Sequence, residues 1–251
     1  MVADYLEYER RLGREILIPW LHSAKMDLKN YSVLDVGCGY GGILESLNET
    51  HSLKSALGID IDSEMILLAQ KNKKQGLQFE KQDFLKLEPQ LQQFDFILMR
   101  DVLEHIVDVE KALLQAQNLI RGPGFLYLSF APFNSPFGGH QHNGMGWGSY
   151  FPWIHLLPEK MFREIVNIHG NTYKSKDQLS KDMESVLKTR LTLRRFRQAL
   201  SQTGFRILRQ THSISRPDYQ IKFGLPALPC PTFLGFEEFF CTGYEALLKK
   251  L

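Results

Sequence analysis

At 251 residues, with 43% hydrophobic and 23% charged side chains, the chain can bury one sizeable α/β core with insertions, as a soluble globular protein does, and it holds no internal repeat and no low-complexity tract. No apolar run approaches the roughly 18–20 residues of a membrane helix. The charged opening "MVADYLEYERRLGREI" does not read as a signal peptide, and three cysteines without metal-type spacing, Cys38, Cys230 and Cys241, fit reduced thiols in the cytoplasm. The net charge of +2 is unevenly spread: residues 171–210 carry ten Lys or Arg against three acids, a surplus of seven that leaves the rest at −5.

In chain order, residues 4–26 read as a helix or helix pair broken at Pro19, so that 1–30 forms an N-terminal helical cap on a domain spanning 31–251. "SVLDVG" is a short apolar strand, and "GGILESLNET" is a helix opening at glycines. "SALGIDID" is a second strand, followed by a helix capped at Ser63. "LQFEKQDF" alternates as a third strand, and "FDFILM" is a buried fourth. A helix through "DVEKALLQAQNLI" then stops at "RGPG", and "FLYLSF" is the fifth strand. After an irregular excursion over 133–190, "TLRRFRQALSQTGF" returns as a helix and "FRILRQTHS" as a strand; "PTFLGFEEFFCTGYEALLKKL" supplies one more, at the edge. The expected fold is α/β: a Rossmann-like, doubly wound, mostly parallel seven-stranded sheet with helices on both faces, its ligand crevice at the carboxyl ends of the strands.

The chemistry concentrates in "YSVLDVGCGYGG". Gly37, Gly39 and Gly42 meet the spacing G-x-G-x-x-G of a dinucleotide loop, and with Asp35 upstream they also meet the pattern of a loop that holds S-adenosylmethionine. Asp35 favours the second reading. It stands where dinucleotide folds keep an apolar residue, and its carboxylate can accept from an ammonium group. Asp60 closes the second strand, where a carboxylate grips ribose hydroxyls in either template. Asp83 closes the third, where it can accept from an adenine amine.

"VLDVGCGYGG", "GIDIDSEMI", "KQDF" and "FDFILMRDVLEHI" together resemble, in order and at normal intervals, the motifs of class I S-adenosylmethionine-dependent methyltransferases, closest to the small-molecule branch of quinone and sugar methyltransferases. The resemblance implies that the loop Gly37–Cys38–Gly39 lies against the cofactor's carboxypropyl arm, which Asp35 orients. It implies that Asp60 takes the ribose, that Ile61 lies on the adenine, and that Asp83 with adjacent Phe84 reads the adenine amine. Arg100 and Asp101 would border the cofactor on the acceptor side, with S-adenosylhomocysteine as product. Glu104 and His105 suit a helix start, contact of His105 with the acceptor being the alternative.

Methyl transfer needs alignment, exclusion of water and, for a hydroxyl acceptor, a base. Both point to the 133–190 excursion as an acceptor-binding lid: Gly138, Gly139, Gly144, Gly146 and Gly148 as its frame, and Phe137, Trp147, Tyr150, Phe151 and Trp153 as its walls. His140 and His142 are the leading candidate bases, then Asp101 and His105. With His155 they are too few for a metal site, and no metal is expected. The expected activity is methylation of a small molecule, most readily at a hydroxyl oxygen. Quinone, sugar, lipid-linked glycan and secondary metabolite all fit as acceptor. The alternatives are an RNA or protein methyltransferase docking through 171–210, a nicotinamide-dinucleotide oxidoreductase, and a non-catalytic cofactor-binding module. Oligomeric state is open.

Overall fold

The strand "SVLDV" is buried along its whole length, which needs a covering layer on each face, and the sheet supplies it. The computed structural model describes residues 2–88, 94–143, 147–166 and 176–251. Eight strands form one sheet: β1 (Ser32–Val36), β2 (Ser55–Asp60), β3 (Leu77–Lys81), β4 (Phe94–Arg100), β5 (Ile120–Phe130), β6 (Phe205–Ser215), β7 (Leu228–Pro229) and β8 (Gly243–Lys250), in the spatial order β3-β2-β1-β4-β5-β8-β6-β7. β1 to β5 pair in parallel. β8 runs antiparallel to both β5 and β6, so β6 points the same way as the first five.

Two expectations change here. Among the described residues the count is eight strands rather than seven, because Leu228–Pro229 adds a two-residue rung to Ser213 and Ser215. The last strand is internal, not at the edge: Gly243 to Leu248 are all buried, and an apolar run buried on both faces needs a neighbour on each side. β5 also begins earlier than expected, at Ile120 opposite Phe94, and absorbs "RGPG" through a register irregularity.

Helices α1 (Val2–Arg11) and α2 (Ile18–Ser23) are joined by a π-type turn over Leu12–Leu17. Pro19 does not break them. It sits in the first turn of α2, where a missing N–H is tolerated. α3 (Gly42–His51) and α4 (Ser63–Asn72) follow β1 and β2, and α4 is capped by Asp62 rather than Ser63, its carboxylate accepting from the N–H of Glu64 and Met65. α5 (Val109–Leu119) and α8 (Leu193–Leu200) cover the opposite face. Alternation divides β1 between the layers: Leu34 and Val36 pack with α5 and α8, while Val33 packs with α2 and α3. The excursion carries α6 (Glu159–Val166) and α7 (Lys176–Thr189) and closes a core of its own, in which Phe133, Phe162, Met183 and Val186 meet. Gly144 and Gly146 of its glycine frame, and Lys174 of the basic block, lie outside the described residues. α9 (Asp218–Phe223) follows β6, and α10 (Phe236–Phe240) precedes β8.

Candidate active site

A cleft of about 1440 Å³ opens at the carboxyl edge of the sheet, between α1, the β1 loop, α7 and α9. Single-ligand pockets run to roughly 300–1,000 Å³, so it has room for two. The β1 loop forms its floor. Gly37 and Cys38 donate their N–H groups to Ile59 O at 2.8 and 3.0 Å, which pins the loop to the end of β2. Gly37 and Gly39 have φ of +71° and +57°, a region that disfavours side chains. A Cβ on Gly37 would strike Val102, and one on Gly39 would strike the Glu9 carboxylate.

Three acids gather there. Asp35, 3% exposed, has an oxygen, Oδ2, with no hydrogen-bond partner among the described residues. Burial, then the nearness of Glu9 and Asp60, holds its carboxyl well above the usual carboxylate range. Asp60 braces the loop, accepting from Gly39 N at 3.1 Å and Asp62 N at 2.9 Å. Glu9 reaches in from α1 and accepts from Tyr40 N at 3.1 Å and Gly42 N at 3.0 Å; burial pushes its carboxyl up to about 8 against the pull of those bonds. Ile61 stands 73% exposed on the wall beside Asp60, a flat apolar surface on an otherwise polar rim.

The far half of the cleft is basic. Arg100 ends β4 and its Nη1 donates to Asp101 Oδ2 at 3.1 Å. Arg216, just beyond β6, clamps both Asp101 oxygens from Nη2 at 2.7 and 2.6 Å and gives Nε to Asp218 at 2.9 Å. Lys222 Nζ stands 3.4 Å from the other Asp218 oxygen and 5.2 Å from the Tyr8 ring centroid. Although burial opposes it, Arg216 and Arg100 hold the Asp101 carboxyl far below its usual range. With both oxygens engaged, Asp101 is a poor proton acceptor.

Between the halves sit Glu104, His105 and His140, each offering one ligand-type atom, all within 4.8 Å of one another. Ser185 Oγ donates to Asp182 O, so His105 Nδ1–H donates to Ser185 Oγ at 2.7 Å and the lone pair falls on Nε2. Burial and, secondarily, Asp101 push Glu104 up to about 8, and its Oε2 has no partner among the described residues. His140 (ring centroids 5.3 Å from His105 and 5.9 Å from His142) is held well below its usual pKa by burial and by those two rings. Burial, with Lys222 and Arg216 close by, pulls His142 down to about 4. Both imidazoles are therefore neutral at pH 7, each with a ring lone pair, and the lowered pKa makes them weaker bases than an ordinary imidazole.

The remaining expected residues fall elsewhere. Asp83 and Phe84 are not in the cleft wall: Asp83 caps the turn after β3 through Leu85 N and lies 3.4 Å from Lys86, while Phe84 is packed in the core beneath α5. His155 donates from Nε2 to Phe133 O at 2.6 Å, away from the other histidines. Of the aromatic walls, Phe137 lines the cleft; Trp147, Tyr150 and Phe151 face solvent, and Trp153 is tied to Asn134 O and Phe239 O.

Residues 27–134 match the family model described as a methyltransferase domain. The chain is 31% identical over 108 residues to a ubiquinone biosynthesis O-methyltransferase of Coxiella burnetii, a match covering 42% of this chain and 45% of that one. It is 30% identical over 103 residues to the mitochondrial ubiquinone biosynthesis O-methyltransferase of Candida albicans, covering 39% and 32%. The chain thus spans between a third and a half of the length of these curated relatives. Over the whole fold it is similar to an S-adenosylmethionine dependent methyltransferase from Mesorhizobium loti (TM-score 0.61, 18% identity, 92% of this chain and 96% of that one). It is likewise similar to the plantazolicin methyltransferase BpumL in a complex with SAH (TM-score 0.60, 16% identity, 99% and 89%).

The matched segment supplies the acidic half of the cleft apart from Glu9, together with Arg100 and Asp101. His140, His142, Arg216, Asp218 and Lys222 come from outside the matched segment. Sequence reasoning missed Glu9 and the 216–222 group. Glu9 lies on the buried stripe that runs from Leu6 of α1 to Leu12 at the start of the π-type turn, and a lone charge on an apolar helix face is a signal that could have found it. Arg216 directly follows a strand aligned with β1–β5, where the rule placing ligands at carboxyl ends applies equally.

Proposed function

We propose that the protein binds S-adenosylmethionine in the acidic half of the cleft and transfers its methyl group to a small molecule held in the other half, most readily at a hydroxyl oxygen. The observation that carries the reading is the partnerless Asp35 Oδ2 beside Glu9 and Asp60. An enclosed acid with an open acceptor atom and two further acids beside it favours a ligand bearing an ammonium, whereas a pyrophosphate would have to sit against these acids, which turns the glycine loop away from a nicotinamide dinucleotide. When bound, the cofactor supplies an activated methyl group. Asp35 takes its ammonium, the glycines at 37 and 39 admit its chain where a Cβ would intrude, Asp60 faces the ribose and Ile61 the adenine. Cys38, at the same loop, contributes backbone. Arg100 and Asp101 divide cofactor from acceptor. His140 or His142, with His105 behind them, accepts the hydroxyl proton, a role that Asp101 is too firmly ion-paired to fill. Residues 1–30 act as a cap and 133–190 as the acceptor-binding lid. Asp83 and Phe84 serve as turn cap and core.

Docking of RNA or protein through the basic block is less well supported, because four of its described cations are engaged within the fold. Arg195 donates to Val107 O and faces Glu110, Arg197 faces Glu237, Lys188 faces Glu184 and Arg190 covers the Phe133 ring. Among the described residues no helix is long and apolar enough to cross a membrane.

Isothermal titration with S-adenosylhomocysteine and NAD tests the proposal. Micromolar binding of the first and none of the second is expected, and Asp60→Ala should weaken it at least about tenfold, roughly 1.4 kcal/mol, as the loop brace and a charged acceptor are both lost. Binding of NAD alone would overturn the proposal.

A further inference from the structure

The basic half of the cleft is larger than methyl transfer requires, and its charges do not cancel. Arg100, Arg216 and Lys222 bring three positive charges, while Asp101 and Asp218 return two. One positive charge is left over on a wall where Arg100 and Arg216 are only 11% and 13% exposed. Lys222 is its accessible member at 40% exposed; burial, with Arg216 and Arg100 beside it, lowers its pKa despite the attraction of Asp218. Tyr8 covers its ammonium from the α1 side, and Thr242 and Tyr219 bring hydroxyl groups to the same wall. A partly dry surplus cation is costly by itself and strongly attractive to an anion.

Resting on the reading above, we infer that the acceptor carries a carboxylate, which seats against Lys222 beside Arg100 and Arg216 while the reacting atom faces the histidines. A monoanion brings the cluster to zero, whereas the dianion of a phosphate ester would leave it at −1. The polarity of the cleft then sorts its two ligands: the cationic end of the cofactor goes to Asp35, Glu9 and Asp60, and the anionic acceptor to the opposite wall. Neither ligand is attracted to the other's place. Lys222, near the rim, acts as a specificity determinant, whereas the two arginines shape the wall from behind.

The test is titration of the protein loaded with S-adenosylhomocysteine at pH 7.5, using 4-hydroxybenzoate, its neutral isostere 4-hydroxybenzamide, and phenyl phosphate as probes. The benzoate is expected to bind at least tenfold tighter than either of the others. Lys222→Gln should reduce that preference to less than about threefold and Lys222→Arg should restore it, with S-adenosylhomocysteine affinity unchanged in both. Equal binding of acid and amide, absence of binding by both, or a preference that survives Lys222→Gln would overturn the inference. Tighter phenyl phosphate would overturn the carboxylate assignment in favour of a phosphate. If S-adenosylhomocysteine fails to bind, the same titrations are made on the unloaded protein: a Lys222-dependent preference for the acid then upholds the anion site while the methyltransferase reading falls.

Discussion

Asp35→Asn is expected to weaken S-adenosylhomocysteine binding by about 10- to 150-fold, the loss of a charged hydrogen bond of about 1.5–3 kcal/mol. The side chain is isosteric and its site is fully enclosed, so the glycine loop should keep its shape. The effect has a pH signature. Burial and two neighbouring acids hold the Asp35 carboxyl well above the usual carboxylate range in the ligand-free protein. An ammonium placed on Oδ2 stabilises the ionised form, so the pKa falls on binding and a proton leaves. Affinity should therefore rise with pH across the raised titration of Asp35, above the ordinary carboxylate range, and titrations in buffers of different ionisation enthalpy should show proton release there. In Asp35→Asn the Asp35 part of that release disappears. Wild-type affinity in the variant would remove Asp35 from the site.

Arg216→Met acts on stability as well as on the cleft. The guanidinium holds both Asp101 oxygens and one of Asp218, and Asp218 is only 2% exposed. Removing it leaves the buried Asp218 and the partly buried Asp101 with Arg100 and Lys222 alone, a loss of about 3–5 kcal/mol for breaking a buried ion pair. At about 2–4 °C per kcal/mol for a chain of this size, the melting temperature should drop by about 6–20 °C. The folded-state pKa of Asp101 is depressed, so its contribution is present above the unfolded carboxylate value and lost as pH falls through that value into the acid range. The variant should therefore show a shallower fall in stability on acidification than the wild type. Adding Asp101→Asn should recover part of the loss, since the orphaned charge goes with it. A melting temperature within 2 °C of wild type would show that the network contributes nothing net.

What could be read from the sequence was local. β1 and its glycines, Asp60 at the end of β2 and the fourth motif lie within short windows, where period, turn chemistry and spacing act together. The features that escaped it join distant segments. Glu9 meets Tyr40 and Gly42 across some thirty positions, and Arg216 meets Asp101 across 115. No window contains both partners of either pair. Asp83 shows the converse limit: its motif is local and clear, but the same carboxylate also suits a cap, and the backbone N–H of Leu85 is nearer than the cleft. The aromatics of the excursion were readable as large and apolar, but the direction each side chain takes depends on the small core around Phe133 and Phe162 that the excursion builds for itself.

The placement of β8 also bears on the order of events during synthesis. β6 reaches the rest of the sheet only through β8, which is made after it. While a nascent chain has not yet released Gly243–Lys250, β1 to β5 can assemble as a parallel block, whereas β6 and β7 have no strand to join them to it. Arg216 and Lys222, carried by the segment after β6, are then not held opposite Asp101. The loop for the methyl donor can thus take shape before the wall for its partner, and a ribosome paused short of Gly243 would hold half a cleft.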